Sequence, residues 1–189
     1  MQPSITLRLS GALIAVVIAA GCATTSTTAA PNSTPEVLVD QSGRVYRTTD
    51  AAATVSFSVS ADSTFNALVE AFRALGIEPS TIDPAGRVVS RQGLMLRGRF
   101  QGDRLSTAFD CGTGQLGPRA DDGRIRADIT SRVASAGSGS TVTTAIQASL
   151  TPNDGAAHDP IRCASNGGFE EKLRRETSLR LGIPYQRSR

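Results

Sequence analysis

Between residues 124 and 150 the apolar residues recur with a period of two. Ile125, Ala127, Ile129 and Val133 alternate with Arg124, Arg126, Asp128 and Arg132; after Ala136-Gly-Ser-Gly139, Val142, Thr144, Ile146, Ala148 and Leu150 repeat the pattern. Successive side chains of a strand point to opposite faces of its sheet. Such a segment therefore hides its apolar half only in a sheet with one covered and one wet face. The Gly-Ser-Gly step is a hairpin turn signal. Whatever else the chain does, it must supply an apolar cover for one side of this hairpin.

The upstream residues provide it. Thr54 to Ser60 alternates, with Val55, Phe57 and Val59 on one face, and Ser60 or Asp62 can then cap a helix. Phe65, Leu68, Val69, Phe72 and Leu75 follow at i, i+3, i+4, i+7 and i+10, one apolar stripe. Gly76 ends the helix and Pro79 forbids its resumption. Thr81 to Gly86 reads as a turn, and Arg87-Val-Val-Ser90 opens the next strand. Leu94, Leu96 and Phe100 then alternate against Met95, Arg97 and Arg99. Gly102-Asp103 is a turn candidate, and Leu105, Thr107, Phe109 and Cys111 share the next inward face. Residues 113–122 and 152–160 read as loops. Phe169 to Leu181 is helical by composition, anchored by Phe169 and Leu173 and stopped by Gly182. The predicted order is β-α-β-β-β-β-α: an α+β two-layer domain over residues 53–182, a helix packed on an antiparallel sheet, with 183–189 as a tail. All six Phe fall at predicted core positions, so a chain that is only 4% aromatic keeps no aromatic platform on its surface.

The N-terminus reads differently. Met1 to Leu9 is polar with one charge, Arg8, and Gly11 to Ala20 is uninterruptedly apolar, the length of a leader's apolar region and too short for a spanning helix. It ends at Ala19-Ala20-Gly21-Cys22. By these residues the segment resembles a bacterial lipoprotein signal peptide, whose lipobox is an aliphatic residue, two small residues and a cysteine. Gly21, Cys22 and the small Ala20 match; Ala19 stands where leucine is usual. An ordinary secretory peptide cut at a small-residue site is the other reading of these residues. The resemblance implies that residues 1–21 are removed, that Cys22 receives a diacylglyceryl thioether and that its new amine is acylated. Each buried methylene then adds about 0.8 kcal/mol of membrane affinity, so several chains hold the protein at a bilayer. Ala23 is not Asp, which by the same resemblance implies the periplasmic face of the outer membrane. Residues 22–52 form a tether and lead-in. Ala23 to Pro35 is uncharged with no apolar side chain larger than Ala or Pro, too poor to bury surface against chain entropy. Val37 to Val39 and Arg44 to Arg47 are a short strand or arm.

With Cys22 acylated, Cys111 and Cys163 remain. An even pair in an exported chain is most simply a disulfide. A reactive thiol is the alternative, but neither cysteine sits in Cys-x-x-Cys and His158 is the only possible base.

No catalytic set, cofactor or metal is expected. One His and three widely spaced Cys leave no zinc or iron–sulfur framework. His158 reads as a solvated loop residue. Asp121-Asp122-Gly123 is a turn rather than a calcium loop, and no Ser lies in a Gly-x-Ser-x-Gly elbow. Gly112-Thr-Gly-Gln-Leu-Gly117 fits a dinucleotide fingerprint in letters only, because Pro118 follows where a helix should start. Of twenty basic residues nineteen are Arg, and the net charge of +3 falls to +2 without Arg8, too little to argue for nucleic acid. What stands out is placement. Arg97 and Arg99 share one strand face, and Arg124, Arg126 and Arg132 another. In one sheet they gather on the wet side, where guanidinium forks match phosphate and carboxylate geometry.

A second resemblance rests on Ala61-Asp-Ser-Thr-Phe65, Leu75-Gly-Ile-Glu-Pro79 and Ile82-Asp-Pro-Ala-Gly-Arg-Val-Val89. This strand–helix–strand phrase is similar to the helix-grip modules in accessory lipoproteins of the outer-membrane β-barrel assembly machinery. It implies a non-catalytic envelope role. The expected function is therefore a lipid-anchored binding or scaffolding module. Its partners would be the membrane through Cys22 and, through the arginine face, an envelope protein complex or an anionic lipid or cell-wall polymer. The alternative is a small-ligand or lipid carrier with a cavity between helix and sheet.

Overall fold

The computed structural model describes residues 53–153 and 159–185, together with the backbone of two short strands, β1 (Glu36–Val39) and β2 (Val45–Thr48), which pair antiparallel. The leader, Cys22, the tether, His158 and residues 186–189 lie outside the described residues.

The long alternating segments form β11 and β12, and everything else is arranged around them. In chain order come β3 (Ala53–Phe57), α1 (Ala61–Ala74), β4 (Thr81–Asp83) and β5 (Val88–Arg97). The two-residue strands β6 (Arg99–Phe100), β7 (Asp103–Arg104), β8 (Phe109–Asp110), β9 (Thr113–Gly114) and β10 (Gly117–Pro118) follow. Then come β11 (Gly123–Ala136), β12 (Gly139–Pro152), β13 (Ile161–Ser165) and α2 (Gly168–Arg180). The fold is α+β and mostly antiparallel sheet. Nine strands join in the order β7-β6-β5-β11-β12-β13-β8, with β3 beside the first half of β12 and β4 beside the first half of β5.

β11 and β12 pair from Ala136↔Gly139 to Gly123↔Pro152 without a register shift. Ile125, Ala127, Ile129 and Val133 of β11 are buried with Val142, Ala148 and Leu150 of β12. α1 covers this face with Phe65, Leu68, Val69 and Phe72. Ser60 caps it by accepting the Ser63 N–H, and its end is a Schellman closure in which Gly76 (φ 70) and Ile77 donate to the carbonyls of Arg73 and Phe72. α2 packs beside α1, and its Phe169 ring stacks on Phe100 at 5.1 Å and meets Phe109 at 6.5 Å. All six Phe are buried, as the patterning predicts. Polar residues on the covered face are paired: Thr64 with Ser140 at 2.8 Å and Ser131 with Thr144 at 2.9 Å.

Three local expectations are corrected, and one strand is added. Leu105–Thr107 is a 3-10 turn rather than strand, with Thr107 exposed, and only Phe109–Asp110 pairs. Thr81–Asp83, expected within a turn, is a short strand on β5. The strand through 94–100 breaks at Gly98. Ile161–Ser165, between the predicted loop and the second predicted helix, is β13. Each is a short segment or a one-residue break, too small for a period to show in the sequence.

β13 also explains the cysteines. Asp110 pairs with Ala164 across β8 and β13, so Cys111 and Cys163 occupy the next rung and form a disulfide with Cα atoms 4.3 Å apart. Both are buried. The bridge spans 52 residues, for which loop-closure entropy gives about 4 kcal/mol. Replacing both cysteines with alanine should lower the unfolding free energy in urea by about that amount, with a steeper slope because the uncrosslinked denatured chain is less compact; a loss below about 1 kcal/mol would contradict this role.

Candidate anion-binding face

The face of the sheet opposite the helices carries the predicted arginines, and register decides which of them meet. Arg104 pairs with Arg99, Arg99 with Arg97, and Arg97 with Arg124. Four arginines thus stand in one line across β7, β6, β5 and β11, with strands about 4.8 Å apart. The adjacent line is Met95↔Arg126, Arg126↔Ser149 and Ser149↔Arg162. Arg97, Arg99, Arg124 and Arg126 therefore come together. Arg132 shares their face of β11 but sits six residues past Arg126, about 20 Å away, beside Val88 and Thr143; it does not belong to the cluster.

A β-bulge makes this arrangement possible. Ala127 pairs with Leu94 but Ile129 with Arg91, so Gln92 and Gly93 together face Asp128. Before the bulge Val89 points to the core; after it Leu94 and Leu96 do. Unbroken alternation from Val89 would turn Met95 and Arg97 inward. Gly93 takes the left-handed φ of 64 and donates its N–H to Asp128 Oδ1 at 2.5 Å. The Arg126 guanidinium lies above it, 3.7 Å from where a Cβ would be.

Arg104 and Arg162 are additions that sequence reasoning missed. Gln101 (φ 49) and Gly102 (φ 84) form the two central residues of the turn, a left-handed pair like Asn-Gly in a type I′ hairpin. Placing the turn there, instead of at Gly102-Asp103, would have set Arg104 opposite Arg99. Arg162 lies in the unforeseen β13.

The nearby carboxylates are engaged elsewhere or held apart. Asp103 is hydrogen-bonded by Lys172 of α2, the chain's only lysine. That bond and charge, helped by Arg99, hold its carboxyl below the usual carboxylate range. Arg99 donates to the Gly102 carbonyl at 2.7 Å. No described carboxylate lies within ion-pair distance of Arg97, Arg104, Arg124 or Arg126. Met95 is 57% exposed between Arg97 and Arg126, and Leu116, in the β9–β10 hairpin that precedes β11, is 92% exposed.

Other chemistry is sparse. Among the described residues no three His, Cys, Asp or Glu side chains gather as metal ligands, and no helix is long and apolar enough to cross a membrane. Gly112 to Gly117 runs into the β9–β10 hairpin rather than into a helix. Between β3, β12, α1 and α2 lies a cavity of about 20 Å³, lined by Phe57, Leu68, Val142, Leu173 and Thr177 among others, enough for one water. The chain matches no family model and no curated protein.

Like charges directly opposite on neighbouring strands destabilise a sheet by about 0.2–1 kcal/mol per pair. Arg97→Thr with Arg124→Thr should therefore leave stability unchanged or raise it by about that amount at low salt, the gain fading as salt screens the charges. Urea unfolding checks this; a loss above about 1 kcal/mol would make the arginines structural.

Proposed function

We propose that this protein is a lipid-anchored lipoprotein on the periplasmic face of the outer membrane, and that its domain is a non-catalytic binding module. In this reading the domain is a two-layer, helix-grip-like unit. Its helices close one face of the sheet and leave the other for contact. The observation that carries the proposal is the line of four register-paired arginines, Arg104, Arg99, Arg97 and Arg124. Folding alone does not favour such a line, whereas an anionic partner stabilises it. The lipobox residues Ala20, Gly21 and Cys22 and the polar segment after them support the anchor. The carrier reading gains no support from a cavity of about 20 Å³, since a small-ligand pocket is typically about 300–1,000 Å³.

Expression in a bacterium with lipoprotein processing, fed a labelled fatty acid, tests the anchor. The wild-type chain should carry the label and fractionate with outer membranes, and Cys22→Ala should lose both. Label retained by Cys22→Ala, or an unlabelled wild type, would refute it.

A further inference from the structure

We infer that the arginine face docks the domain on an anionic phospholipid bilayer, with Met95 entering the headgroup region. The inference rests on the anchored reading above for proximity. Three features favour a bilayer over a soluble polyanion. First, Arg97, Arg99, Arg104 and Arg124 form a line on the sheet face, with Arg126 in the adjacent row; planar guanidinium forks bind phosphate oxygens two at a time. Second, no described carboxylate pairs with Arg97, Arg104, Arg124 or Arg126, so their charge is open to a partner; Asp128, on the next rung, accepts the Gly93 N–H instead.

Third, an apolar side chain stands among the charges. Met95 is 57% exposed, directly opposite Arg126 and two residues from Arg97, with Arg124 diagonal to it. A carboxylate or phosphate polymer offers nothing to cover such a group. A bilayer interface takes up basic and apolar side chains together.

The chain has no Trp, so Met95→Trp in the full-length acylated protein is a clean reporter. Reconstituted into vesicles of phosphatidylcholine with phosphatidylglycerol, the indole should shift to the blue and be quenched by brominated lipid. Both effects should vanish in phosphatidylcholine alone, in about 0.5 M NaCl, and in the Arg97→Glu, Arg124→Glu double variant. In parallel, the full chain carrying Cys22→Ser should sediment with the anionic vesicles about tenfold more strongly than the same chain with both reversals, its thermal melt being unchanged. Equal quenching in neutral vesicles, or quenching and sedimentation indifferent to charge reversal, would overturn the inference. So would arginine-dependent sedimentation with isolated cell wall but not with vesicles, which would assign the face to the polymer. Failure of acylation would remove the anchored reading alone, because the Cys22→Ser sedimentation reads the arginine face without it.

Discussion

The unbroken pairing of β11 with β12 is the constraint on which the rest of the protein depends. From Ala136↔Gly139 to Gly123↔Pro152 the two strands share one register. Because side chains alternate, that register commits Ile125, Ile129, Val142 and Leu150 to one face together. A two-stranded ribbon is marginal in water by itself. The apolar stripe of α1 and the Phe169–Phe100 stack of α2 cover the face, while β5, β3 and β13 extend its edges. The disulfide fastens the segment before β9 to β13, the strand that continues the sheet beyond β12.

The other face inherits its chemistry from the same register. Arg124 and Arg126 are outward because Ile125 and Ala127 are inward. Arg97 joins them only because the bulge at Gln92-Gly93 resets the alternation of β5, and Arg99 and Arg104 follow through Gly98 and the Gln101-Gly102 turn. Lys172 then ties the end of this arrangement to α2 through Asp103. One continuous backbone device, from bulge to hairpin, thus builds a basic surface out of residues far apart in the chain.

Much of this was legible in the sequence where patterns were long. The 124–150 hairpin, the stripe from Phe65 to Leu75 and the glycine stops at Gly76 and Gly182 follow from periodicity and local backbone chemistry. The outward faces of Arg97 and Arg124 were equally legible, since each alternates with buried neighbours. What local pattern did not encode was adjacency. That Arg97 lies opposite Arg124, and Arg132 lies far from both, depends on a register set by tertiary pairing and by one bulge. The five-residue β13 and the two-residue β6 and β7 carry too few residues for any period to show. Arg162 and Arg104 were therefore invisible as members of the face.

The central claim is that register, rather than mere exposure, makes the arginine face a binding surface. Arginine side-chain Nε–H resonances, followed by NMR while small anionic phospholipid bicelles are titrated in, test it most directly. Arg97, Arg99, Arg124 and Arg126 should shift together along one saturable curve, and Arg132, on the same strand face about 20 Å from Arg126, should stay put. Equal movement of Arg132, or no movement of the four, would contradict the account.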